Sequence, residues 1–144
     1  MKIFTLDEAQ SLLPVVESLL NRAIEAKQAA AELEEQQQAL VRRIFLSGGL
    51  LVDVAKVQKR KVAQEALVQR TKDSLEEIDA IGVQIKDLDI GLLDFPCLLD
   101  GETVLLCWRR GEPRIEFWHR MEDGFRGRQR IDTRFGKAAP DKLN

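Results

Sequence analysis

The residues equipped for chemistry gather late in the chain. Trp108, Trp118, the single histidine His119 and a run of arginines that includes Arg109, Arg110, Arg114, Arg120, Arg126 and Arg128 lie between positions 108 and 128. Three kinds of chemistry fit them. His119 with Glu122 and Asp123, and with Asp94 from farther back, forms an oxygen-rich set with one imidazole for a divalent metal, because a turn after a strand brings close-spaced ligands together. Neither the helical spacing of zinc proteases nor a calcium-loop pattern is present, and a lone histidine more often hydrogen-bonds a neighbour, so metal ligation is the weaker reading. Gly124-Phe125-Arg126-Gly127-Arg128 offers the second chemistry: backbone amides converging on an anion, with Arg126 and Arg128 forking onto its oxygens. It lacks the Gly-Lys-Ser/Thr ending of a phosphate loop. The competing role is structural, with Arg128 paired to an acid such as Asp94 or Glu112 and the glycines turning the chain around a buried Phe125. Third, Trp118 with Trp108 and Phe117 can stack nucleic-acid bases beside the arginines.

Charge weighs against the third chemistry. The chain carries a net −2, with 32% charged residues against roughly 25% in an average soluble protein. Eight arginines and two lysines against six acids make residues 108–144 net +4, whereas twelve bases against eighteen acids make residues 1–107 net −6. A cationic, aromatic end thus follows an acidic stretch, an asymmetry that can steer an anionic partner or join two copies of the chain. Nucleic acid is the least favoured partner, since a small sheet also needs its large aromatics as core.

Cysteine chemistry is equally restrained. Cys97 and Cys107 match neither a redox Cys-x-x-Cys nor a zinc knuckle and read as small buried hydrophobes, in keeping with a reducing compartment. Pairing Cys107 with His119 as nucleophile and base meets the objection that the apolar run Val104-Leu105-Leu106-Cys107-Trp108 buries the thiol and suppresses its thiolate. No residue is assigned a catalytic role, and enzymatic activity is the weaker expectation. The acidic start of the chain and the lack of any window of 18 or more apolar residues predict a cytoplasmic protein with no membrane partner.

The elements that must position these residues begin with a long helix. Thr5 and Glu8 form a capping box, and Phe4 is placed to staple against Ala9. From Leu12 the apolar positions step by four and three through Val16, Leu19, Ala23, Ala26, Ala30, Leu33, Gln37, Leu40 and Ile44, a coiled-coil-like seam. Pro14 predicts a kink or a short leading helix. Ser47-Gly48-Gly49 predicts a reversal, and a second helix is expected from about Leu51 to about Leu88 on a weaker stripe: Val54, Val57, Lys61, Gln64, Val68, Thr71, Leu75, Ile78, Gly82 and Ile85. Two such helices cannot bury enough surface alone, so two hairpins are expected to combine into a homodimeric four-helix bundle.

Beyond the helices the period changes to that of strands. Asp100-Gly101 is a tight-turn pair between two apolar runs, and Gly111 with Pro113 marks a second reversal, giving three antiparallel strands with Pro96 at an edge or a strand start. On the third strand Phe117 and His119 share one face and Trp118 takes the other. The expected class is α+β, mostly α: a helical hairpin over residues 1–90, a small β meander with the Gly/Arg-rich segment over 91–135, and a disordered tail over 136–144.

Phe4-Thr5-Leu6 with Leu13-Pro14, Gly91 with Asp94-Phe95-Pro96, Leu106-Cys107-Trp108 with Gly111-Glu112, Trp118-His119, and Gly124-Phe125 with Gly127-Arg128 form a set of pieces spanning nearly the whole chain. In these the chain resembles a family of uncharacterised prokaryotic proteins, domain of unknown function 2203. The resemblance implies long helices with a small β-containing end, and no activity, cofactor or catalytic residue. Arg120 and Arg126 depart from the family pattern, which more often has an acid and an alanine there, so this chain is the more cationic. The expectation is therefore a homo-oligomeric assembly or binding protein, without a required cofactor, whose Trp118, His119, Arg126, Arg128 and Asp94 take an anionic ligand or a protein partner. The alternative is a metal- or phosphate-dependent enzyme centred on His119, Glu122 and Arg128.

Overall fold

A computed structural model describes residues 1–49 and 53–136. Two helices, α1 (Leu6–Leu46) and α2 (Val54–Ile81), form the helical hairpin, and five strands follow: β1 (Gln84–Asp87), β2 (Leu92–Leu99), β3 (Glu102–Arg109), β4 (Phe117–Arg120) and β5 (Gln129–Arg130). The α+β, mostly helical class is as expected. Among the described residues no helix is long and apolar enough to cross a membrane. The chain divides into two compact units: Asn21–Leu75, and Met1–Leu20 together with Glu76–Asn144.

In the Asn21–Leu75 unit, the turn at Ser47-Gly49 closes with the Gly49 amide donating to Ile44 O at 2.8 Å and the Gly48 amide to Phe45 O at 3.2 Å. Asp53 caps α2 by accepting from the Lys56 amide at 3.0 Å. The expected helix start at Leu51 lies outside the described residues. Across the hairpin Gln64 Nε2 donates to Glu34 at 2.6 Å. The α1 seam is where the periodicity puts it: Ala23, Ala26 and Ala30 are buried, and Leu33, Gln37, Leu40 and Ile44 half-buried. The α2 seam holds at Val57, Gln64, Thr71, Leu75 and Ile78 and shifts by one residue at two positions. Arg60 and Leu67 are half-buried where Lys61 and Val68 were predicted, and Ser74 is buried. Leucine fills more space than valine, and the arginine stem lies along apolar surface while its head stays wet, so a polar stripe settles on those residues.

The other unit is built on the sheet, a meander in the order β1-β2-β3-β4-β5. The capping box forms, with Thr5 N donating to Glu8 Oε1 at 2.9 Å and Glu8 N to Thr5 Oγ1 at 3.1 Å. Pro14 lies inside α1 without ending it. Phe4 meets Phe95 edge-on, with ring centroids 5.7 Å apart, and the Phe4 amide donates to Pro96 O at 2.7 Å. Phe4, Leu6, Val16, Leu20, Ile78, Leu93, Phe95, Leu106 and Trp108 are almost fully buried.

Three expectations about this unit need correction. The second helix stops at Ile81, not near Leu88, because Gly82 takes φ +104° and closes the helix end: the Val83 amide donates to Ile78 O and the Gly82 amide to Asp79 O, with Val83 and Ile78 both buried. Residues 84–87 then form a strand, and with β5 the sheet has five strands instead of three. Pro96 lies on an interior strand. It is tolerated because β1 pairs only with Leu92–Asp94, so the missing amide faces a side with no ladder partner, and the carbonyl of Pro96 itself accepts from the Phe4 amide. The Asp100-Gly101 turn is as expected, with φ of 50° and 81° joining directly paired Leu99 and Glu102. The expected disordered tail, beyond Gly136, lies outside the described residues.

Candidate functional site

The register of three strands assembles the site. Asp94 on β2 stands opposite Cys107 on β3, and Cys107 stands opposite Phe117 on β4. Because side chains alternate along a strand, His119, two residues after Phe117, shares the face of Asp94 and Cys107. The metal-ligating atoms of these three side chains all lie within 4.8 Å of one another, and all three residues are buried. Cys97, at odd spacing from Asp94, belongs to the opposite face.

Hydrogen bonds define the protons. His119 Nδ1 lies 2.9 Å from the Arg120 carbonyl oxygen, which can only accept, so Nδ1 carries hydrogen. Nε2 lies 3.2 Å from each Asp94 carboxylate oxygen, and one proton therefore sits between the imidazole and the carboxyl group. Burial first, then the Asp94 carboxylate, push the Cys107 thiol up to about 12. At neutral pH it is a protonated thiol and a poor nucleophile. A pocket of about 200 Å³ opens over the pair, lined by Lys86, Asp94, His119, Met121, Asp123 and Phe125 among others.

The remaining predicted site residues are placed elsewhere. Trp118 is on the opposite face, 3% exposed, with the Phe135 ring centroid at 5.7 Å and the Arg134 guanidinium over its ring. Arg128 Nη2 donates to both Glu112 oxygens at 2.7 and 2.8 Å, and its guanidinium centre lies 4.0 Å from the Phe117 ring centroid and 4.6 Å from that of Phe125. Glu112 is thus the acid that the structural role required, and it also accepts from the Arg109 amide at 2.6 Å. The amides of Gly127 and Arg128 are used within a short 3₁₀ turn, donating to Gly124 O and Phe125 O, and Gly127 packs against Asp123, whose Cβ a side chain at 127 would meet at 2.7 Å. Arg126, Glu122 and Asp123 are exposed. The structure therefore brings Asp94 and His119 together, adds Asp123 at the pocket wall, and leaves Trp118, Arg126, Arg128 and Glu122 apart from that pocket. Cys107 is the site member that sequence reasoning did not assign; its parity with Asp94 follows from the number of residues in the Asp100-Gly101 hairpin.

The family model for an uncharacterised conserved protein, domain of unknown function 2203, matches residues 2–131. The chain belongs to that family. No curated protein and no solved structure matches it. Membership of the 2203 family brings no reaction with it, so the chemistry rests on the buried Asp94, Cys107 and His119 side chains.

Proposed function

We propose that the chain is a cytoplasmic self-assembling binding protein: the helical hairpin pairs with the hairpin of a second copy as a four-helix bundle, and the sheet unit carries the ligand site. The observation that supports assembly is the burial pattern of the hairpin. Among the described residues of Asn21–Leu75, only Ala23, Ile24, Ala26, Ala30 and Ser74 are buried, while Val41, Phe45, Leu46, Val54 and Val62 are 54–82% exposed. A pair of helices this sparsely buried does not hold itself together by packing. The apolar side chains stand on both helices, and an open groove of about 680 Å³ runs along Asp53–Val62, so a second hairpin bearing the same residues is the matching occupant. Gln37 Oε1 is covered and carries no hydrogen bond among the described residues, and a polar side chain at one seam position can fix the register of such a bundle.

The ligand part of the reading favours the pocket over the arginine surface. With Arg128 held by Glu112 and Trp118 covered, Lys86 at the pocket wall is a cation offered to an anionic group there, while the exposed Arg126 lies apart from the pocket. An enzyme built on His119, Glu122 and Arg128 draws less support from this arrangement. Sedimentation equilibrium tests assembly: the expected result is a dimer at micromolar concentration, weakened at least about tenfold by Phe45→Glu, and a folded monomer that never associates contradicts it.

A further inference from the structure

Asp94, Cys107 and His119 present one carboxylate, one sulfur and one imidazole nitrogen on a single sheet face, a donor set that structural ion pairing does not need. We propose that these three residues bind a divalent transition metal of the zinc type. The inference goes beyond self-assembly and does not depend on it.

The donor chemistry selects the ion. A thiolate beside an imidazole disfavours magnesium and calcium, which take oxygen ligands, and suits zinc or cobalt, which accept mixed nitrogen, oxygen and sulfur sets. The imidazole is already oriented for the task. Its Nδ1–H donates to the Arg120 carbonyl at 2.9 Å, the outer contact that fixes a metal-binding histidine and leaves Nε2 as the ligand atom. Nε2 meets the Asp94 carboxylate at 3.2 Å, and the three donor atoms lie within 4.8 Å of each other; ligands about 2.0–2.3 Å from one ion stand no more than about 4.4 Å apart, so small side-chain adjustments bring all three onto it.

Charge is also compatible: the two charges of a divalent ion are matched by the Cys107 sulfur bound as thiolate and the Asp94 carboxylate, so the occupied site leaves no uncompensated charge in the buried sheet face. Asp94 and His119 also line the pocket, which gives an ion a route from solvent.

The test uses the full chain and Co²⁺ alone as probe. Wild type is expected to bind one Co²⁺ per chain and to show the thiolate-to-cobalt charge-transfer band, with Zn²⁺ displacing the cobalt. Cys107→Ser is expected to lose the band and at least about tenfold in affinity while keeping its circular dichroism, and Cys97→Ser to keep the band, since Cys97 faces away. Wild type that binds no cobalt, or binds it without the thiolate band, overturns the proposal. So does a folded Cys107→Ser that binds as well as wild type. If Cys107→Ser does not fold, the wild-type and Cys97→Ser spectra decide. Dimerisation is read separately, so its failure leaves this result intact.

Discussion

The sheet unit and the hairpin unit solve the burial problem in opposite ways. In the sheet unit, Phe4, Phe95, Leu106 and Trp108 are no more than 1% exposed, and buried polar groups such as the Asp94–His119 pair and the Trp108 indole, which donates to Glu112 O at 3.1 Å, find partners, although Trp118 Nε1 and Arg128 Nε have none among the described residues. Among the described residues of the hairpin unit the most buried are three alanines, one isoleucine and a serine, and Phe45 stands 82% exposed. A helix seam can be regular in sequence and still be unfinished within one chain, because periodicity fixes which residues face inward and not how much covers them.

That contrast can be broken by mutation. Trp108→Ala should destabilise the sheet unit by about 3–5 kcal/mol, measured by denaturant unfolding, whereas Phe45→Ala should leave the unfolding of the isolated chain within about 0.5 kcal/mol and act on association. Equal losses from the two would erase the distinction. Arg128→Ala should destabilise by about 2 kcal/mol, because it leaves the half-buried Glu112 unpaired and uncovers Phe117 and Phe125. Arg128→Lys should recover only part, since an ammonium cannot sit flat between two rings. Wild-type-like unfolding of Arg128→Ala would show that the arginine is available for a ligand instead.

Smaller effects sharpen the picture. Thr5→Ala removes the α1 cap and should lose about 1 kcal/mol. The hydrogen bonds from Thr5 also hold the Glu8 carboxyl below its ordinary value, so this local stabilisation is present at neutral pH and is lost as pH falls through the acidic range, which an acid titration of wild type against Thr5→Ala would reveal. At neutral pH Cys107 contributes no such pH dependence. With the folded thiol pushed up to about 12 from an ordinary 9.0, the unfolded chain loses its proton first, so stability should fall as pH rises from about 9 towards 12. Cys107→Ala should flatten that fall in metal-free protein.

Much of this was readable in the residues. The Thr5–Glu8 box, the α1 seam, the Asp100-Gly101 turn and the shared face of Phe117 and His119 each depend on local spacing, and local spacing is what a sequence displays. The end of α2 was also written locally, in Gly82 followed by Val83 with Ile78 behind, but the apolar stripe through Ile85 masked it. The α2 seam was legible at Val57, Gln64, Thr71, Leu75 and Ile78 and slipped by one residue at Lys61 and Val68, because with Arg60 and Lys61 adjacent and polar the period has two settings. The site was only half legible. His119 and Asp94 stood out by type, yet the place of Cys107 beside them and the choice of Glu112 for Arg128 depend on strand register across many residues.

The most direct measurement of the central claim is amide hydrogen exchange of both units as a function of protein concentration. Protection of the Leu33–Ile44 amides should rise with concentration through the micromolar range while that of β2 and β3 stays constant. Strong protection of Leu33–Ile44 that does not change on dilution of a monomer would contradict it, for the hairpin would then be stable without a second copy.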